Sequence, residues 1–524
     1  MISEIKDNRI KIDIGRNMFG GSIKAIASKS HAHRLLIAAA LSEGSEFFIE
    51  CSESSQDIEA TASCLNSLGA EITRVDNGYT VKPISHSIID NISSCNNGSS
   101  HITDNKTDNG SSLEIGTIDK EIVRMDAGES GSTLRFMLPI IGVLGVSAEI
   151  TTHGRLSARP LSPLYEEMQR SGVTLSPQGS NPLTLSGRMS GGVFTIAGNI
   201  SSQYITGLLF ALPLAETDSE IRVTGELASR PYIDITLDVL KQAGIIVEEI
   251  TPADTLQSEK TEDNTSNEIE NTVGKTGDKS DDNATIKASE ISVIFKIKGS
   301  QHYRLQQHCV VEGDWSNAAF FLTAGAIGKN PVTVRRVNMA SKQGDMKILD
   351  LLREYGAKIT IAPSDISDTV NNDSDTSFDE PSDNSKFALS DITVTPAPLH
   401  GIEIDAENIP DLVPILSLTA SVAQGTTVIR NIERLRIKES DRVATVIDTL
   451  TRLGADIHEE NKALVINGKP SLTGGSVDSY NDHRIAMTAA IAAICCENSV
   501  EIETPMAVRK SYPGFYNDLA SLSL

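Results

Sequence analysis

Apolar residues along this chain fall into two alternating kinds of helical pattern, separated by short β-prone runs. The first kind is amphipathic and stops just before a glycine that leads into an extended run. It recurs at Leu68-Gly69-Ala70-Glu71-Ile72, Ser171-Gly172-Val173-Thr174-Leu175, Ala243-Gly244-Ile245-Ile246-Val247, Tyr355-Gly356-Ala357-Lys358-Ile359 and Leu453-Gly454-Ala455-Asp456-Ile457. Glycine just past a helix, where the backbone turns left-handed, followed by β-prone residues, reads as an exit from helix to strand. Phe515-Tyr516-Asn517-Asp518-Leu519 reads as the start of a sixth such helix, cut short where the chain ends.

The second kind is apolar all round and rich in alanine, which predicts buried helices at Arg34–Leu41, Thr133–Leu144, Tyr204–Leu214, Asn317–Ala326, Leu412–Val422 and Arg484–Cys495. Each follows a polar stretch of N-cap or anion-binding character: Ser28-Lys29-Ser30, Gly128-Glu129-Ser130-Gly131-Ser132, Ser201-Ser202-Gln203, Glu312-Gly313-Asp314, Ile409-Pro410-Asp411 and Asn481-Asp482-His483-Arg484. The alternation predicts six copies of one βαβαββ-like unit, which divide most simply into two domains of three. A buried helix starting on such residues offers free N–H groups and the positive end of its dipole, about 0.3–1 kcal/mol toward an anion. Several converging on one cleft would bind a polyanion without a glycine-rich nucleotide loop, and no Walker loop, GxGxxG after a strand or HExxH is present.

Composition sharpens this picture. At 524 residues the chain is too long for one ordinary core. Three segments, about 86–120, 251–289 and 363–386, are rich in Ser, Asn, Asp, Thr and Gly, and are expected to be mobile surface insertions. They carry −3, −5 and −6, more than half of the net charge of −24, so the compact remainder is far less acidic. That balance argues against a nucleic-acid surface. The six cysteines show no CxxC or metal-ligand spacing and read as free thiols in a reducing compartment. The start resembles no signal or transit peptide, and no apolar run is long enough to span a bilayer, so a cytoplasmic protein is expected.

The stretch Arg434-Leu435-Arg436-Ile437-Lys438-Glu439-Ser440-Asp441-Arg442 then stands out, with four cations and two carboxylates in nine residues of an acidic protein. Continued into the following helix, it would set Lys438 and Arg442 on one face, one turn apart, beside Glu439. Such cations suit a ligand with two anionic groups, and the acid between them could move a proton.

Taken in order, Ser28-Lys29-Ser30-His31-Ala32-His33-Arg34, Gly131-Ser132-Thr133-Leu134-Arg135, Gly154-Arg155-Leu156-Ser157-Ala158-Arg159-Pro160, Ser201-Ser202-Gln203, Ser229-Arg230-Pro231-Tyr232-Ile233-Asp234, Ile409-Pro410-Asp411, the Arg436–Arg442 run and Asn481-Asp482-His483-Arg484 resemble the 5-enolpyruvylshikimate-3-phosphate synthases, or 3-phosphoshikimate 1-carboxyvinyltransferases. The resemblance runs from about Gly21 to Phe515. It implies an α/β fold of two inside-out barrels, each of three βαβαββ repeats: residues 1–21 with 312–524, and residues 22–311. It implies transfer of the enolpyruvyl group of phosphoenolpyruvate to the 5-hydroxyl of shikimate 3-phosphate, releasing phosphate. No metal or organic cofactor, nucleic acid or membrane is implied, and a monomer is expected.

Carried over residue by residue, Lys29, Gly131, Arg155, Gln203 and Lys510 would contact phosphoenolpyruvate, largely at its phosphate, with Arg442 and Arg484 on its carboxylate. Shikimate 3-phosphate would meet Lys29, Ser30, Arg34, Ser201, Ser202, Gln203, Ser229, Asp411, Arg434 and Lys438. Asp411 matches the base for the attacking hydroxyl and Glu439 the proton carrier to the methylene carbon, with Lys29 close to the reacting centre. Both carboxylates sit among cations, so substrate anions or protein dipoles must make proton uptake feasible. Asp411 could equally cap the helix after Pro410, and a structural hydrogen bond is the commoner fate for His483.

Two positions depart from the family's commonest pattern. Glu129 stands where many members carry Asn, and a carboxylate beside a phosphate subsite needs a compensating cation. Arg434 stands where Asn often helps to hold the shikimate ring. Among rivals, UDP-N-acetylglucosamine enolpyruvyl transferase usually carries a reactive Cys in the loop that here reads Gly154-Arg155-Leu156-Ser157-Ala158-Arg159. A non-catalytic anion-binding scaffold on the same repeat would make Asp411 and Glu439 dispensable. RNA-phosphate cyclases use a related repeat, but the acidic charge argues against them.

Overall fold

The computed structural model describes residues 2–5, 8–14, 19–85, 122–251, 291–364 and 389–523. The three polar segments at 86–120, 251–289 and 363–386 lie outside the described residues, except Thr251, Pro363 and Ser364. Pro363 closes the strand Lys358–Pro363 opposite Ser390, so regular structure runs into the segment read as an insertion.

Six four-stranded sheets share one topology. In each, an edge strand lies parallel to its neighbour and two antiparallel strands follow. One unit shows this in chain order: strand Val193–Ala197, buried helix Ser202–Ala211, strand Ser219–Thr224, amphipathic helix Arg230–Gln242, then strands Val247–Ile250 and Ile291–Ile297. A parallel pair needs a crossover, which the buried helix supplies, whereas an antiparallel pair can close through a short turn such as Asp76-Asn77 between Glu71–Val75 and Gly78–Lys82. Burial alternates strictly along Ser219–Thr224, so this sheet faces the core on one side and water on the other. The helix-to-strand exits are left-handed at each expected glycine, with φ of 99°, 109°, 74°, 109° and 99° at Gly69, Gly172, Gly244, Gly356 and Gly454.

The buried helices fill the middle of each half. Lys29–Leu41, Gly131–Leu144 and Ser202–Ala211 lie in one, and Trp315–Ile327, Val413–Val422 and His483–Ala492 in the other. Five begin before the apolar pattern does. The side chains of Ser28, Ser130, Ser201, Asp314 and Asp482 accept N–H groups of the first turn and extend each helix toward its N-terminus.

Buried apolar residues form two clusters. One combines Ile10–Ile26 with Trp315–Leu522, and the other spans Ala27–Val311. The crossing expected after residue 21 therefore falls between Ile26 and Ala27. The strand Gly21–Lys24 pairs with Val332–Asn338, so Ile23, Ala25 and Ile26 stay in the first core. Conversely, His308–Val310 pairs with Phe47–Glu50 of the other half before the chain returns. Each crossing thus leaves its edge strand in the half the chain is leaving. The two crossing segments meet side by side, through the Ala27–Gly313 bridge and the Ser28 N–H donating to the Glu312 carbonyl at 2.8 Å. The sixth unit is completed from the other end of the chain. Strands Ile2–Ile5 and Arg9–Ile12 take the antiparallel places beside Val500–Glu503, so the short helix Phe515–Ser521 needs no strands after it.

Cys51, Cys64, Cys309, Cys495 and Cys496 are buried free thiols, and Cys95 lies outside the described residues. Among the described residues no helix is long and apolar enough to cross a membrane.

The crossing also carries a pH dependence. His31 is buried, and its Nδ1 accepts the Glu312 N–H at 3.2 Å. Burial, with Arg34 adding to it against Asp238, pushes the imidazole down to about 4. The unfolded chain takes up this proton near pH 6.5, the folded chain only near 4. The stabilisation is therefore complete above about pH 6.5 and is lost as pH falls toward 4, by about 3 kcal/mol at most. The urea midpoint is expected to fall between pH 7 and pH 4.5, and less steeply in His31→Gln; equal slopes would refute this assignment.

Candidate active site

The N-termini of all six buried helices open on one cleft between the halves. Lys29, Ser30, Gly131, Ser132, Ser201, Ser202, Asp314, Ser316, Asp411, His483 and Arg484 line it from those ends. The halves touch across it: the Tyr232 hydroxyl donates to Asp411 at 2.9 Å, Arg434 to Ser229 Oγ at 2.8 Å, and Arg159 Nε to the Ile437 carbonyl at 3.1 Å. Lys29 and Arg442, from opposite halves, therefore face the same space.

The charged run does not continue as one helix. Glu433–Ile437 is a 3₁₀ turn, Lys438 is extended, and the helix Arg442–Arg452 starts afresh, with Asp441 accepting the Ala444 N–H at 3.2 Å. Lys438 and Arg442 are thus not one turn apart on a helix face. They converge because both reach Asp411 Oδ1, at 3.4 and 2.8 Å.

Arg442 is the hub. Its guanidinium, 1% exposed, donates through Nε and Nη2 to Asp482, through Nη1 to Asp411 and through Nη2 to Glu439, which takes four of its five N–H groups. Arg484 is the freer fork: Nη1 and Nη2 reach the Asp411 carbonyl and carboxylate at 3.1 Å, while Nε has no hydrogen-bond partner among the described residues. Asp411 lies in the 3₁₀ turn Pro410–Leu412 and makes no cap, so the capping alternative is set aside.

Burial pushes the Asp411 carboxyl up, but the charges of Arg484, Lys438 and Arg442 and the Tyr232 hydroxyl together hold it well below the usual carboxylate range. Glu439 follows the same logic: burial raises it, and Arg442, Arg159 and Lys438 bring it well below. Burial also lowers Lys438. Behind this layer Asp345, hydrogen-bonded to Ser316, is pushed up to about 7, first by burial and then by the charge of Asp411. The cleft therefore holds Asp411 and Glu439 ionised at neutral pH under a set of convergent cations. Among the described residues no group of three or more His, Cys, Asp or Glu could hold a metal ion.

Of the residues singled out from sequence, Lys29, Ser30, Arg34, Gly131, Ser201, Ser202, Gln203, Ser229, Asp411, Arg434, Lys438, Glu439, Arg442 and Arg484 line this cleft. Arg155 does not. It is exposed at the start of the 3₁₀ turn Leu156–Ala158, and that turn brings Arg159 to the cleft wall, 3.9 Å from Glu439. Of the two arginines that flank this turn, it is Arg159 that lines the cleft. Lys510 is beside the cleft rather than on its wall, held by Glu129 at 2.8 Å and by the Asn481 carbonyl at 2.5 Å. The Arg34 fork is spent on Thr236, the Ser30 carbonyl and the Tyr232 carbonyl, so it shapes the wall more than it reaches into the space.

Sequence reasoning also passed over Asp57, Arg135 and Tyr232. Asp57 holds the Lys29 ammonium at 2.8 Å. Arg135 and Arg159 explain Gly131: a Cβ there would lie 2.9 and 2.5 Å from their Nη1 atoms. Tyr232 stood within a quoted motif, but its long-range partner, Asp411, gave no local signal. Gln203 Oε1, Arg434 Nε, Arg484 Nε and both ring nitrogens of His483 are buried with no hydrogen-bond partner among the described residues. Among the described residues the expected structural hydrogen bond of His483 is not made, and burial, with Lys29 next, holds its ring neutral. Orphaned polar atoms on the wall of one cleft are what a site built for polar ligands leaves behind.

The family model described as EPSP synthase (3-phosphoshikimate 1-carboxyvinyltransferase) matches residues 15–97, 98–271 and 282–519. A protein of Clostridium novyi (strain NT) named 3-phosphoshikimate 1-carboxyvinyltransferase is 38% identical over 499 residues, covering 95% of this chain and 94% of the relative. One of the same name from Clostridium acetobutylicum is 38% identical over 507 residues, covering 96% and 95%. Among solved structures, EPSP synthase from Acinetobacter baumannii superposes with a TM-score of 0.67 at 20% identity, over 98% of each chain. The enolpyruvyl transferase NikO from Streptomyces tendae gives 0.62 at 14%, again over 98% of each. These two likenesses speak for the fold.

Proposed function

The chain belongs to the EPSP synthase family, and from that premise we propose how its cleft moves the enolpyruvyl group of phosphoenolpyruvate onto the 5-hydroxyl of shikimate 3-phosphate. Two phosphates and two carboxylates must be held together. The observation that carries the reading is that six helix N-termini and cations of both halves meet around two ionised carboxylates.

Lys29, Gly131, Gln203 and Arg159 take the phosphate of the donor, joined by Lys510 once Glu129 yields it, and Arg484, with Arg442 behind it, takes the donor carboxylate. Ser201, Ser202, Ser229, Lys438 and Arg434 take shikimate 3-phosphate, with Ser30 and Arg34 forming the adjoining wall. Asp411 accepts the proton of the 5-hydroxyl as its oxygen attacks C2 of the donor, and Glu439 delivers a proton to the methylene carbon. That gives a tetrahedral adduct. Glu439 takes a proton back from the new methyl group as the C–O bond to phosphate breaks, Asp411 gives its proton to the departing phosphate, and the enol ether remains. The low proton affinity of both carboxylates fits this cycle. Substrate anions compete for Arg442, Arg484 and Lys438, and each cation they claim raises the proton affinity of Asp411 and Glu439.

One chain supplies both walls of the cleft, which favours a monomer, and the free thiols favour the cytoplasm. UDP-N-acetylglucosamine as acceptor is disfavoured by the family match. The test is a phosphate-release assay on the full chain. Phosphate should appear only with shikimate 3-phosphate and phosphoenolpyruvate together; release with UDP-N-acetylglucosamine instead, or with neither acceptor, would overturn the reading.

A further inference from the structure

Glu129 is a carboxylate at the edge of the cleft to which the reaction above gives no role. It stands two residues before Gly131, and its partners come from the other half. Its carboxylate accepts from Lys510 Nζ at 2.8 Å and from Asn481 Nδ2 at 3.0 and 3.1 Å. The Lys510 side chain is 7% exposed, so its charge is committed to Glu129 and to the Asn481 carbonyl. The opposite loop makes room for the carboxylate. A Cβ on Gly154 would lie 2.5 Å from Glu129 Oε2, and Gly154 is left-handed at φ +56°. Gly131 and Ser132 on one side, and Ser511 on the other, continue from this pair directly onto the cleft wall.

We propose that Glu129 is a positioning residue that acts as an internal anion, occupying Lys510 in place of the donor's phosphate and tying the halves together until donor arrives. The proposal rests on the reading of the cleft given above. A phosphate entering beside Gly131 must take Lys510 over from Glu129. It gains less from a cation that is already neutralised, and it meets a second negative charge. Glu129 therefore weakens donor binding. A purely structural inter-half tether would do the opposite, since cutting it would loosen the site.

Steady-state phosphate release by the full-length chain, with phosphoenolpyruvate varied at saturating shikimate 3-phosphate, tests this. In Glu129→Gln, KM for phosphoenolpyruvate is expected to fall by about threefold or more, and the inhibition constant of inorganic phosphate by a similar factor. KM for shikimate 3-phosphate should move less. Glu129→Ala, which also removes the hydrogen bonds, should shift donor KM in the same direction. Donor KM unchanged or raised in both variants would overturn the proposal and leave a tether. Should wild type release no phosphate with both substrates, it is the reading of the cleft that fails. Calorimetric titration of inorganic phosphate into wild type and Glu129→Gln then still decides, equal affinities being fatal to the proposal.

Discussion

Asp411→Asn is expected to lower the rate of phosphate release by roughly two to four orders of magnitude while leaving shikimate 3-phosphate binding intact or tighter. The substitution keeps the size of the side chain and its contact with the Tyr232 hydroxyl. It removes the one charge that Arg442, Arg484 and Lys438 share. Losing a base slows turnover; freeing three cations strengthens attraction for an anion. A merely structural role predicts the reverse pairing, weaker binding with turnover of the bound complex preserved. Single-turnover rates and calorimetric affinity for shikimate 3-phosphate separate the two, and a rate within about tenfold of wild type would remove Asp411 as the base.

Arg442→Ala is expected to be costly twice over. Three carboxylates, Asp411, Glu439 and Asp482, depend on this buried guanidinium, and Asp482 is fully buried. Removing one partner of a buried pair leaves an uncompensated charge, typically about 3–5 kcal/mol. The urea midpoint should fall accordingly, and phosphate release should vanish, because Asp411 and Glu439 lose their common anchor. Arg442→Lys should recover only part of the stability, since a point charge cannot donate in several directions from one plane. A midpoint equal to wild type in Arg442→Ala would show that water or neighbouring cations already screen the cluster.

Much of the architecture was readable because it is local. The apolar stripes, the Ser and Asp caps and the five left-handed glycines each act within a few residues, so they announce six buried helices and their exits without tertiary knowledge. The crossing was misjudged by a few positions because Gly21–Lys24 is a β-prone run whose partner, Val332–Asn338, lies some three hundred residues on. Which of Arg155 and Arg159 lines the cleft was not legible for a similar reason: both stand in one motif, and only the 3₁₀ turn between them brings Arg159 to Glu439.

The sequence alone determined that buried helices with polar N-termini recur six times, and that cations gather in a few motifs, since capping and periodicity are short-range preferences written residue by residue. Tertiary structure alone decided that they share one space, that Lys438 and Arg442 meet through Asp411 rather than along a helix, and that Lys510 pairs with Glu129 across the halves. Those outcomes depend on charges brought together from opposite halves. Their energies are set by burial and by distances that no neighbour along the chain can fix.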